Sequence, residues 1–232
     1  MSDLGILMSN TAKFSTHISN IITNGKKLLS WILRTFKTRE VMPMLTLWKT
    51  LVLPRIEYCC PVWSPCNSSD IQLLESLQQT FTRRIQSVSH LNYWERLAAL
   101  RLFSLQRRRE RYMAIYIWKI LEGLVPNLNI PIKARENPRT GRTCILSPIK
   151  TTAPTYVKTL IDESFATKGP QIFNVLPKHI RNIKDKPVCV FKEALDKYLW
   201  TVHDKPLQSG YTSARLAESN SLIDMVPYVR RD

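Results

Sequence analysis

Acidic residues are scarce in this 232-residue chain: 18 Asp and Glu stand against 34 Lys and Arg, a formal net charge of +16 with a pI near 9.9. Their arrangement excludes more than their number does. Two-metal phosphoryl transfer needs carboxylates converging on ions about 3.5–4 Å apart. The adjacent acidic pair is Asp162 and Glu163, with no Asp-Asp or Asp-x-Asp, and it reads as solvated surface. Also missing are G-x-x-x-x-G-K-[ST], G-x-G-x-x-G, G-x-S-x-G and H-E-x-x-H, so phosphate cradles, nucleophile elbows and zincin helices have no support. No polymerase centre, metal or cofactor is therefore expected of these residues.

No apolar run reaches the ~18 residues of a membrane span, and no membrane partner is expected. Cys59, Cys60, Cys66, Cys144 and Cys189 are an odd set without a secretory-type start, which fits a reducing compartment, nuclear or cytoplasmic, better than a disulfide scaffold. Cys59, Cys60 and Cys66 with His90 lack the C-x-x-C spacing of a zinc site, so thiols are expected. His17, His90, His179 and His203 are scattered, at no offset from a nucleophile, and read as solvated or capping.

What is present is enough apolar content, 44%, for one sizeable core or two small ones. The positive excess favours nucleic acid or an anionic surface as partner, with a merely basic globule as the alternative. The chain is organised around Tyr93 to Leu124, where a short amphipathic turn feeds a long helix. At 100° per residue, Leu102, Leu105, Tyr112, Met113, Tyr116, Ile117, Ile120 and Leu124 share one core-facing arc. Arg107 and Arg111 fall on the opposite arc. With Arg83, Arg84, Arg108 and Lys119 they form the candidate nucleic-acid contact, against the alternative of a solvated charged face. Tyr93, Trp94, Phe103, Tyr112, Tyr116 and Trp118 lie among arginines as stacking surfaces do, yet at helical spacing they read mainly as core. Arg109 falls inside the apolar arc, so it is expected to be buried and paired with Glu57 or Glu95 in a structural ion pair.

In chain order, Met1 to Lys13 reads as a strand ending in a turn, and Lys13 to Arg34 as a helix tolerating Gly25 at about 1 kcal/mol. A second helix runs from Thr38 to Leu53, ended by Pro54. Pro54 to Ser68 is a folded connection carrying Tyr58, Val62 and Trp63 on the core. Ser69 to Gln72 has the capping-box pattern ahead of a helix through Val88, and Asn92 and Ser104 cap the next two helices. Residues 1–124 thus read as a helical bundle, 125–154 as a Pro-rich linker, 155–200 as a small mixed α/β module and 201–232 as a loosely ordered tail. Within the module, Tyr156 to Phe165 is strand or helix, Gly169 to Pro177 turn-rich and Val188 to Trp200 helical. The fold class is mainly α.

The run LVLPRIEYCCPVWSP, the helix IQLLESLQQTFTRRI, then YWERLAALRLFSLQRRRERY, and GPQIFNVLPKHIR followed by FKEALDKYL, resemble the region after the polymerase palm in non-LTR, LINE-type (jockey-like) retrotransposon reverse transcriptases. The resemblance covers Asp3 to Leu199. It implies that the catalytic aspartates of the family lie upstream and match no position here, and that the start of the chain is a palm remnant. It also implies a thumb-like bundle holding RNA and DNA template-primer by its backbone, indifferent to sequence, within a longer polyprotein whose other parts are further partners. A helical protein-interaction module, or an inactive remnant, is the other reading.

Overall fold

The computed structural model describes residues 2–9, 14–65, 67–126, 134–137, 141–145, 154–206 and 219–229. Helices dominate, as the periodicity requires, and the chain forms two compact units, Met1–Arg109 and Glu110–Asp232. That division falls inside the long helix instead of at residue 124.

The first unit opens with β1 (Ser2–Asp3) and β2 (Ile6–Leu7), an antiparallel pair turned through Leu4 and Gly5 at φ 46 and 81. Both turn residues are left-handed, as a two-residue hairpin of primed type needs. Helix α1 (Ser15–Thr35) buries Ile18, Ile22, Leu29 and Ile32 along one stripe. Gly25 sits in that stripe because α5 (Ser68–Thr82) packs on α1 there; a Cβ at position 25 would lie 2.9 Å from Leu77 Cδ1. The helix-propensity cost of a mid-helix glycine is thereby offset by close packing.

Pro54 does not end the second helix, contrary to expectation. After α2 (Val41–Leu47) the chain takes one π-helical turn, Trp48–Val52, and continues as α3 (Leu53–Ile56). Proline lacks an N–H and crowds the preceding turn, and a wider turn ahead of it absorbs both defects. Trp48 inside that turn stacks on Phe81 of α5, ring centroids 4.9 Å apart, at the centre of the core. Of the apolar residues in the following connection, Trp63 in the one-turn α4 (Cys60–Trp63) is buried. Tyr58 and Val62 are exposed, at 53% and 56%, which corrects their expected packing.

The capping box expected at Ser69 is not formed: α5 starts at Ser68 behind Asn67 with no side-chain cap. Its buried face, Leu74, Leu77, Gln78 and Phe81, follows the predicted period, while Ile85 and Val88 lie beyond its end in a turn and the 3-10 segment Gln86–Val88. A complete box stands instead at α6 (Tyr93–Leu100), where Asn92 accepts from the Glu95 N–H at 3.1 Å and Glu95 accepts from the Asn92 N–H at 3.0 Å. Ser104 caps α7 (Leu105–Leu121) by accepting the Arg107 N–H, and Gly123, at φ 70, lies just past the end of α7.

The second unit departs from the expected linker and module. Strands β3 (Ala134–Asn137) and β4 (Gly141–Ile145) pair as a hairpin inside the stretch read as linker, with a register shift at Arg135/Glu136. The patch read as turn-rich belongs to α9 (Phe165–Val175), which follows α8 (Thr155–Glu163). Gly169 permits that helix to meet α7, since a Cβ there would stand 2.8 Å from Ile117 Cδ1. After the short α10 (Lys178–Arg181), α11 (Val188–Leu199) buries Phe191, Leu195 and Leu199, with Phe191 stacked 4.9 Å from Trp118. The stretch expected to be a loose tail contains α12 (Leu222–Val229), whose Leu222, Met225 and Val226 are buried at i, i+3, i+4 spacing. Its first N–H is received by Glu110 Oε2 at 2.8 Å. Residues 127–133, 138–140 and 146–153 of the expected linker, residues 207–218 and 230–232 of that tail, and Cys66 lie outside the described residues.

Candidate nucleic-acid interface

The six cations proposed as the contact do not behave as one set. Arg83 and Arg84 close α5 and are both exposed, with no carboxylate partner among the described residues. Arg107 is wholly enclosed, at 0% exposure, and is corrected from the solvent arc to the interior. Arg108 reaches Glu57 with two nitrogens, Nη2 donating to Oε2 at 2.9 Å and Nε to Oε1. Arg111 grips Asp196 of α11 in the same two-pronged way, with Nη2 to Oδ2 at 2.7 Å, and is half-buried. Lys119 is half-buried in the last turn of α7, where its charge complements the helix dipole.

The physical reason for the correction is that α7 is not a surface helix. Arg107, Arg109, Glu110, Ala114 and Ile115 are buried as well as Leu105, Met113, Ile117 and Trp118, while Tyr116, placed in the core arc, is 39% exposed. A single-arc reading assumes one wet side. Here charged side chains of the helix serve packing: bidentate arginine–carboxylate pairs satisfy planar charge where it is partly screened from water.

Arg109 is 2% exposed, and its Nη2 donates to Gln106 Oε1 at 2.8 Å. Glu57, one of its two expected partners, receives Arg108. Glu95, the other, is exposed and closes the box on its own helix, so its assignment to Arg109 is corrected. A carboxylate that sequence reasoning passed over does more: Glu75 of α5, 9% exposed, accepts the Leu105 N–H at 3.1 Å and the Tyr93 hydroxyl.

Cys60 lies under this charge cluster. Burial pushes its thiol up to about 12 from an ordinary 9.0, the negative Glu57 adds to the rise, and Arg109 and Arg108 pull against it. A thiol whose folded value is raised contributes stability that is complete below the ordinary value and is lost as pH climbs from 9.0 towards 12. Urea melts across an alkaline series should show that loss, and Cys60→Ala should flatten it. Alkylation of the native protein should modify exposed Cys189 ahead of Cys60.

Of the aromatic residues drawn from the long-helix region, Trp118 and Tyr93 are buried, Trp94, Phe103 and Tyr112 are half-buried, and the exposed Tyr116 meets Phe165 edge to face. Among the described residues no three His, Cys, Asp or Glu side chains gather as metal ligands, and no helix is long and apolar enough to cross a membrane. Asp162 and Glu163 are exposed on α8.

Sequence comparison finds similarity to a probable RNA-directed DNA polymerase from transposon X-element of Drosophila melanogaster, 26% identical over 85 residues. The match takes in 35% of this chain and 9% of that protein. No protein-family model matches the chain, and no solved structure does. The similarity supports a related retrotransposon region at a coarse level.

Proposed function

We propose that this chain is a non-catalytic, nucleic-acid-binding part of a non-LTR retrotransposon reverse transcriptase, a thumb-like region holding RNA and DNA by the phosphate backbone. The similarity to a transposon polymerase and the net charge of +16 both favour it. The observation that carries it is the adjacent, exposed pair Arg83 and Arg84, which end α5 without a carboxylate partner among the described residues, while Arg108 and Arg111 are tied to Glu57 and Asp196. Lys119 is retained as a secondary contact. Catalysis belongs, in this reading, to other parts of the polyprotein.

Changing both Arg83 and Arg84 to Glu should weaken binding to RNA and DNA duplexes and shrink the salt slope by about 0.7–0.9 for each phosphate that is no longer neutralised. Fluorescence anisotropy over a salt series measures it, with circular dichroism as the folding control. A parent chain that binds neither nucleic acid at low salt would shift the reading to a protein-interaction module.

A further inference from the structure

Cations and aromatics outside the candidate set converge elsewhere on the first unit. In α1, Asn20, Asn24, Lys27, Trp31 and Arg34 succeed one another at i+4, i+3, i+4 and i+3, and all are exposed. That spacing makes a single stripe, about 21 Å long at 1.5 Å per residue. The helix contains no Asp or Glu. Trp31, an aromatic that a stable core would ordinarily hold, is 48% exposed, with Phe36 edge to face at 6.1 Å.

The stripe borders a groove of about 520 Å³, lined by His17, Asn20, Asn24 and Lys27 from α1, by Arg55 of α3 and by Tyr58 just beyond it. Lys27 and Arg55 are exposed and have no carboxylate partner among the described residues. Tyr58 stands at the edge with its ring in solvent, and its carbonyl is fixed by the indole N–H of Trp63 at 2.7 Å. The next residue, Cys59, holds a left-handed backbone at φ 50. His17 accepts the Leu7 N–H on Nδ1 at 3.4 Å, so its Nε2 carries the proton and has no acceptor.

We infer that this groove and stripe bind a single-stranded stretch of nucleic acid, its bases stacking on Tyr58 and Trp31 and its phosphates meeting Lys27, Arg55 and Arg34. Two separated aromatic faces interleaved with cations are what single strands use, because every base has a π-face and an intact duplex does not offer it. Asn20 and Asn24 add donors and acceptors for base edges at the groove wall. The inference rests on the proposed function, that the chain binds nucleic acid, and names a second surface and a different strand state.

The test uses the full chain with fluorescein-labelled oligothymidylate and oligouridylate strands, and a blunt duplex for comparison. Trp31→Ala and Tyr58→Ala should each lower single-strand affinity by roughly five- to 150-fold, the loss of one stacked base, and leave duplex affinity unchanged. Trp31→Phe, which keeps a π-face, should restore most of it. Lys27→Glu with Arg55→Glu should reduce the single-strand salt slope by about 0.7 for each phosphate released from its cation. Unchanged single-strand affinity in the folded alanine variants overturns the inference, as does a parent that binds duplex but no single strand. Either result leaves the proposed function standing, whereas a parent that binds no nucleic acid removes both.

Discussion

Arg107→Glu should bring the urea midpoint of the first unit down steeply, and Arg83→Glu should leave its melt unchanged. Both arginines look alike in sequence, each within a basic run on a predicted helix. In the structure one is at 0% exposure and the other is open to water. A glutamate in place of a fully enclosed guanidinium buries a carboxylate in a site shaped for a cation. Stranding one buried charge costs about 3–5 kcal/mol, and a reversal costs at least that much. Against a whole-domain stability of about 5–15 kcal/mol, this is a large part of the total. Arg107→Met, which keeps length and removes charge, should recover part of the loss, because the surrounding cavity stays filled. Urea denaturation followed by tryptophan fluorescence reads all three variants, since Trp48 and Trp63 are buried in this unit. A parent-like melt for Arg107→Glu would mean that the side chain leaves the interior.

Helix existence is legible in the sequence, and helix surroundings are not. The periodicities of α1, α5, α6 and α11 report one buried stripe each, and those elements stand where the apolar residues recur. For α7 the same periodicity misleads, because a wheel counts angles and cannot count neighbours, so Arg107 looks like a wet face and Arg109 like an anomaly. Proline is a weaker terminator here than its chemistry suggests, at Pro54, where the π turn before it relieves the clash, and at Pro170, which lies within α9. The hairpin of β3 and β4 and helix α12 sit in stretches whose composition signals turns and tails, and short apolar triplets such as Leu222, Met225 and Val226 are weak signals until something covers them. Of the candidate site, Arg83 and Arg84 are readable as cations of a basic run, but their place at a helix end is not, because the apolar period carries the predicted helix on through Val88 while α5 stops at Thr82. Lys27, Trp31, Arg55 and Tyr58 are not, since only folding brings α3 and the turn that follows it to α1.

Glu75→Ala should be the second severe lesion, and it separates a carboxylate that organises a helix start from one that decorates a surface. Glu75 projects from α5 to the first turn of α7, where the Leu105 N–H is one of the donors no helix can satisfy internally. A negative charge there also meets the positive end of the helix dipole. The same carboxylate takes the buried hydroxyl of Tyr93, so three elements, α5, α6 and α7, are joined through one side chain at 9% exposure. Hydrogen bonds to a charged group contribute about 1.5–3 kcal/mol each, and the groups left behind are buried. Truncation should therefore cost about 3–5 kcal/mol. Tyr93→Phe, which deletes the hydroxyl bond alone, should cost about 1.5–3 kcal/mol. Glu75→Gln keeps the shape and an acceptor while removing the charge, so it should fall between the two. The double variant Glu75→Ala with Tyr93→Phe should lose less than the sum of the singles, because the second change removes the hydroxyl stranded by the first. Strict additivity in that cycle would show that the two side chains act independently, and the carboxylate would then owe its burial to the α7 terminus alone.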